Sequence, residues 1–292
     1  MDMQRTMVGA VLTGPEQIEI RDMPVARPGP GEMLVSVQAA TTCGTDVKVF
    51  RRGGHPRMLK VPTLFGHEMA GRVAALGDGV VDFKDGDAVV VANSAPCLTC
   101  EPCRRGRENL CEDLQYLNGA FAEFILVPER FVQRNTHKIP TGLDFGKAAL
   151  TEPLACVLHG MNACELDKYG ADEPAEVIVF GGGPIGLLFV AALANAGQRV
   201  ILADPNASRL EAGTALGASK TVEIARGGGQ ADVVRQATSN GLGAWVAVDA
   251  TGVPEVWLDA MAVVRPGGLI NLFGGCAPGT SIPLDTHLIH YS

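Results

Sequence analysis

Residues 176–197 read EVIVFGGGPIGLLFVAALANAG, and this stretch decides the fold of the chain's second half. An apolar, β-branched run ends at Gly181 and a helix-forming run starts near Pro184, so a strand enters a tight turn and leaves it as a helix. Gly181, Gly183 and Gly186 form a G-x-G-x-x-G. The first glycine permits the turn, the second lets the backbone approach a pyrophosphate, and the third lets helix pack on strand. Pro184 and Ile185 open the helix, whose free N–H groups and positive dipole end face the phosphates. Asp204 closes the next strand, about twenty residues on, where a carboxylate binds ribose hydroxyls and repels a 2′-phosphate. That placement favours NAD over NADP. Arg209 follows on the next helix, either flanking the adenine or ribose or simply exposed. Phe273 and Gly274, at the end of the last strand, complete the cofactor candidates.

Outward from this turn, the chain after Ala148 alternates strands with helices. Strands are expected at 176–181, 199–204, 220–224, 245–251 and 268–275, and helices near 184–197, 206–217, 231–239 and 255–264. Such alternation implies a doubly wound parallel sheet, an α/β class. From Met7 to about Asp144 the texture differs: GAVLTG, QIEIRD, EMLVSVQAATT and DAVVVA carry strand composition between turn signals such as PGPGE. This half reads as an all-β segment with small insertions. The domain ranges are therefore 1–150 and 151–292, the second an NAD-binding sheet.

One insertion, at about 93–115, holds Cys97, Cys100, Cys103 and Cys111 in a C-x2-C-x2-C-x7-C spacing. Short loops of this kind gather four thiolates around one tetrahedral zinc. A disulfide pair is disfavoured in a chain with no export signal, and the spacing departs from the bacterial iron–sulfur run. A closed four-thiolate site has no open position, so this zinc is structural. Two further motifs are Cys43-Gly44-Thr45-Asp46 and Gly66-His67-Glu68, and a third, Glu152-Pro153-Leu154, lies where the halves join. Cys43, His67 and a carboxylate make a three-ligand zinc set with a position left for water or substrate. Singly, each also reads blandly: a buried small cysteine, a core histidine, a solvated glutamate.

The 292 residues carry a net charge of −8, with 24 Lys and Arg against 32 Asp and Glu. With no basic stripe, the electrostatic footprint of a nucleic-acid binder is missing. No apolar run reaches signal-peptide or membrane-span length, so the expected setting is the cytoplasm.

The run Gly66 to Val80, G-H-E-x2-G-x5-G-x2-V, resembles the signature of zinc-containing medium-chain alcohol dehydrogenases. The four-cysteine lobe, GGGPIG and EPL are similar to the same family, in its sorbitol and threonine dehydrogenase branch. The resemblance implies a GroES-like β domain carrying catalysis, a Rossmann domain carrying NAD, and substrate in the cleft between them. It makes Cys43 and His67 catalytic zinc ligands, with Glu68 and Glu152 as the carboxylates of which one binds directly. Asp46 then orients His67, and Thr45 takes the alcohol proton. Lys48 stands where many relatives carry the relay's histidine, so the proton leaves through ribose hydroxyls and water, with His55 a weak substitute. The implied activity is oxidation of a secondary alcohol, preferably of a polyol, with zinc as Lewis acid. A 3-hydroxy amino acid such as threonine is the alternative substrate. An inactive zinc- and NAD-binding fragment and a zinc-free quinone reductase are the rival classes.

The chain stops at HLIHYS, after the fifth Rossmann strand. Family members continue into a sixth strand, so the expectation is a C-terminally truncated sheet with an exposed edge. The family's homodimer or homotetramer is in doubt for the same reason.

Overall fold

The computed structural model describes residues 5–170 and 173–291. Two compact units divide between Pro153 and Leu154, rather than at 150. Residues 1–4 and 292, at the ends of the two expected ranges, lie outside the described residues.

The first unit is built on β1 (Thr6–Gly14), β2 (Gln17–Pro24), β3 (Met33–Thr41), β4 (Thr63–Leu64), β5 (Glu68–Leu76), β6 (Ala88–Val91), β7 (Ser94–Ala95), β8 (Gln115–Tyr116), β9 (Phe124–Val127) and β10 (Thr136–Lys138). They form a three-stranded sheet β2-β1-β4, a five-stranded sheet β10-β6-β5-β3-β9 and the two-stranded β7-β8. Met33, Val35, Met69, Val73, Val89 and Phe131 fill the main core. At about 1.5–3 kcal/mol per buried large apolar side chain, such clusters drive sheet closure. The antiparallel pairing of β3 with β5 sets Thr41 directly opposite Glu68.

The expectation of an all-β segment needs correcting. Helices α1 (Gly44–Arg52), α2 (Glu101–Arg104), α3 (Glu129–Arg134) and α4 (Phe145–Ala149) punctuate the sheets. In α1 the cause is local. Asp46 Oδ2 accepts from the Cys43 backbone N–H at 2.9 Å and Cys43 Sγ from Thr45 N–H at 3.4 Å. These contacts cap a helix inside the half of the chain whose texture reads as all-β.

The next helix, α5 (Thr151–Asn162), carries the division between the units. The second unit then runs β11 (Glu176–Phe180), α6 (Pro184–Asn195), β12 (Arg199–Asp204), α7 (Ala207–Ala215), β13 (Lys220–Glu223), α8 (Ala231–Gln236), β14 (Ala244–Asp249), α9 (Pro254–Val263), β15 (Val264–Leu272) and α10 (Thr286–Tyr291). The parallel order is β13-β12-β11-β14-β15. All of β11 is buried because both faces are covered. Val177 and Val179 pack with Phe189, Val190 and Leu193, while Ile178 and Phe180 point the other way, towards Val234, Val256 and Ala260. Strand order reverses between β11 and β14, the switch point where open α/β sheets bind ligands. The last strand starts at Val264, not Gly268, and takes in Pro266, which an edge strand tolerates.

Candidate metal and cofactor sites

Cys43, His67 and Glu68 each present a donor atom within 4.8 Å of the others'. Cys43 arrives as the N-cap of α1; His67 and Glu68 arrive at the start of β5. Gly66, just before them, has φ +84, and a Cβ there would meet the Phe121 ring at 2.7 Å. Only glycine turns the chain into His67 at this point. The His67 Nδ1 lies 2.9 Å from Asp46 Oδ1, with both side chains buried, which leaves Nε2 for a metal. Asp46 thus caps α1 with one oxygen and holds His67 with the other. Glu68 is 3% exposed, and its Oε2 accepts a hydrogen bond from the Thr41 hydroxyl.

Burial alone pulls the His67 imidazole down, but the hydrogen bonds and charges of Asp46 and Cys43 outweigh it and push the ring up to about 10. A half-buried sulfur beside a buried imidazole and a buried carboxylate calls for a cation. The donor chemistry fits zinc, whose tetrahedral ligands stand about 3.3–3.8 Å apart at ordinary bond lengths. Glu152 sits half-buried in the first turn of α5, and Thr45 half-buried in the first turn of α1. Lys48 is exposed. The His55 Nδ1 accepts N–H groups of Arg57 and Met58 at 3.2 and 3.0 Å, so this ring braces its own turn.

The sulfurs of Cys97, Cys100, Cys103 and Cys111 also lie within 4.8 Å of one another. Cys100 and Cys111 Sγ are 3.9 Å apart, far beyond a disulfide and close to the edge of a zinc–thiolate tetrahedron. Hydrogen bonds from Thr99 and the Cys100 N–H pull the Cys97 thiol down to about 6; burial among the other sulfurs pushes Cys103 up to about 12. Without a cation the four cannot all be thiolates, so the cluster fits a metal.

In the second unit the three glycines of the turn have three different reasons. Gly181 has φ +97, which demands glycine. At Gly186 a Cβ would stand 1.7 Å from the Gly181 carbonyl oxygen. At Gly183 φ is −72 and a Cβ would touch nothing within 4 Å. Neither backbone nor packing requires glycine there, and the open space fits a close-lying pyrophosphate. The α6 N-terminus has Pro184 in its first turn and no side-chain cap, so its N–H groups are available to an anion. The Asp204 Oδ2 accepts the Gly182 N–H at 2.6 Å and Oδ1 the Asn206 N–H at 2.8 Å. A carboxylate has about four acceptor positions, so capacity for ribose hydroxyls remains. Arg209 Nη1 lies 3.7 Å from Asp204 Oδ2 on a half-exposed side chain. The Phe273 ring packs edge-on against Phe189 at 5.0 Å, and the Gly274 N–H donates to the Asp249 carbonyl at 2.7 Å.

Two residues escape sequence reasoning. Asp249, fully buried at the end of β14, accepts the Thr251 N–H and hydroxyl, the Gly252 N–H and Trp257 Nε1, at 2.6–3.1 Å. It ties the turn after β14, on which Gly181 rests through Thr251, to the segment containing Gly274. A charged residue closing an otherwise apolar strand, WVAVD, is the signal that marks it. Thr41 carries no such signal, because its partner lies 27 residues away.

The alcohol dehydrogenase GroES-like domain model matches residues 29–141, and the zinc-binding dehydrogenase model matches residues 184–291. The chain is 39% identical over 270 residues to D-altritol 5-dehydrogenase of Agrobacterium fabrum, covering 90% of this chain and 75% of the relative. It is 33% identical over 293 residues to sorbitol dehydrogenase of Bacillus subtilis, covering 98% and 79%. Among solved structures, a Sinorhizobium meliloti protein assigned as a zinc-binding dehydrogenase and bound to NADP superposes with a TM-score of 0.87 at 30% identity, covering 98% and 82%.

Proposed function

This chain belongs to the zinc-containing medium-chain alcohol dehydrogenase family, and we propose that it oxidises a secondary alcohol of a polyol to the ketone with NAD as hydride acceptor. At the coarser level the chain is an oxidoreductase acting on alcohol groups. The observation that carries the reading is the convergence of Cys43, His67 and Glu68 with His67 anchored on Asp46. Cys43, His67 and a carboxylate from Glu68 or Glu152 hold the catalytic zinc; Cys97, Cys100, Cys103 and Cys111 hold the structural one. When bound, the catalytic zinc supplies Lewis acidity towards the alcohol oxygen.

The chain's own residues do the rest. Asp46 keeps the His67 ring in one orientation and one tautomer. The Thr45 Oγ1 receives the alcohol proton, and ribose hydroxyls and water carry it on, since Lys48 offers no acceptor in its ammonium form. Gly183, the N–H groups of α6 and Asp204 bind the pyrophosphate and the adenosine ribose. Asp204 repels a 2′-phosphate and so supports NAD. Arg209, beside Asp204, supports NADP as the second reading, as does the NADP in the Sinorhizobium relative.

The test is a panel of polyols, threonine and short diols, assayed with NAD and with NADP. Turnover is expected on polyols, with kcat/KM at least about tenfold higher for NAD, equivalent to about 1.4 kcal/mol. A preference for NADP would overturn the cofactor reading, and turnover confined to threonine would overturn the polyol reading. No reduction of either cofactor by any alcohol, from zinc-loaded protein, would overturn the activity.

A further inference from the structure

We propose that Thr41 is the positioning residue that fixes Glu68 as a one-oxygen metal ligand. The inference rests on the reading of Cys43, His67 and Glu68 as the catalytic metal site. It addresses which glutamate meets the metal, and how.

The antiparallel pairing of β3 and β5 places Thr41 opposite Glu68. Directly opposed residues put their side chains on the same face of the sheet, with Cβ atoms about 4.5–5.5 Å apart. The Thr41 hydroxyl reaches across and donates to Glu68 Oε2. Among the described residues, Oε1 accepts no hydrogen bond. Glu68 as a whole is 3% exposed.

A carboxylate of this kind has two ways to meet a divalent cation, through one oxygen or through both. With Oε2 held by a hydroxyl proton, the one-oxygen mode through Oε1 keeps every partner satisfied. The two-oxygen mode requires Oε2 to share its charge between metal and proton, or to break the contact. Thr41 also lies two residues before Cys43 in the same chain segment. The strand end that delivers the sulfur ligand therefore delivers the group that orients the carboxylate. A serine offers the same donor, and a valine the same shape without it.

The test uses the full chain as wild type, Thr41→Val and Thr41→Ser, each loaded with cobalt(II). The Cys43→Ser protein supplies the spectrum of the four-cysteine cluster for subtraction. Two quantities are read: the visible d–d absorption of the remaining site, and its zinc affinity by chelator competition. Thr41→Val is expected to lower zinc affinity about 10–100-fold, the usual effect of removing an orienting partner of a ligand. It should also weaken the d–d bands, because a freed carboxylate that chelates raises the coordination number. Thr41→Ser should restore both. The proposal is overturned if Thr41→Val matches wild type in both readouts, or if Thr41→Ser fails as Thr41→Val does, because a restored hydroxyl would then not suffice to hold Glu68. If Thr41→Val does not fold, judged by loss of the four-cysteine cobalt spectrum, Thr41→Ala gives the same comparison. A wild-type spectrum identical to that of Cys43→Ser would instead overturn the underlying metal site, an outcome separate from either.

Discussion

At the scale of single residues, the metal site depends on how much charge is packed around one buried ring. His67 without metal is held protonated up to about pH 10, by Asp46 and Cys43 acting against burial. Below that pH a proton occupies the nitrogen the metal needs, and zinc uptake must expel it. Apparent zinc affinity at this site should therefore rise with pH and level off only near pH 10. Chelator competition between about pH 7 and pH 9 checks this; a flat profile contradicts it. Asp46→Asn keeps the shape but removes the charge that holds Nδ1–H. It should cost about 10–100-fold in zinc affinity above about pH 10, where no ring proton competes in either protein, measured by chelator competition there.

Two elements shape the cofactor end and the cysteine lobe, and each yields a contrast. In the turn between β11 and α6, Gly186→Ala drives a methyl group into the Gly181 carbonyl. Thermal unfolding should report a loss of about 3 kcal/mol, the upper end for overpacking. Gly183→Ala meets no protein atom and should leave the melting temperature unchanged while weakening NADH binding at least about tenfold, or 1.4 kcal/mol, in a fluorescence titration. If both variants behave alike, the separate roles given to the two glycines are wrong. In the lobe, Cys103→Ser should reduce the bound zinc from two ions to one and lower the melting temperature, with metal analysis as the readout. The remaining zinc should still answer to the Thr41 and Asp46 variants, because a closed four-thiolate site takes no part in binding substrate.

For the molecule as a whole, metal and dinucleotide rest on different cores. The proposed metal ligands Cys43, His67 and Glu68 stand on or beside strands of a unit packed by Met33, Val35 and Phe131, and the glycine turn stands on a sheet packed by Val177, Phe189 and Leu193. Cys43→Ser should abolish turnover yet bind NADH with wild-type affinity, measured by fluorescence; a parallel loss of both would contradict separate construction. No helix among the described residues is long and apolar enough to cross a membrane. Both candidate sites were partly legible in the sequence, and what was legible was contiguous. Four cysteines within fifteen residues and three glycines within six can meet without help from the rest of the fold, because short loops close at small entropic cost. Local composition and spacing thus specify the parallel α/β half, the dinucleotide turn and the thiolate cluster. Long-range packing set what spacing could not: Thr41 faces Glu68, Asp46 caps α1 besides holding His67 as the resemblance implied, and Asp249 gathers Trp257, Gly252 and Thr251. Cross-strand partners such as Thr41 and Glu68 depend on register, and a slip of one residue turns every side chain of a strand to the opposite face. Spacing along the chain does not encode that register; the packed cores on either side of the strands select it.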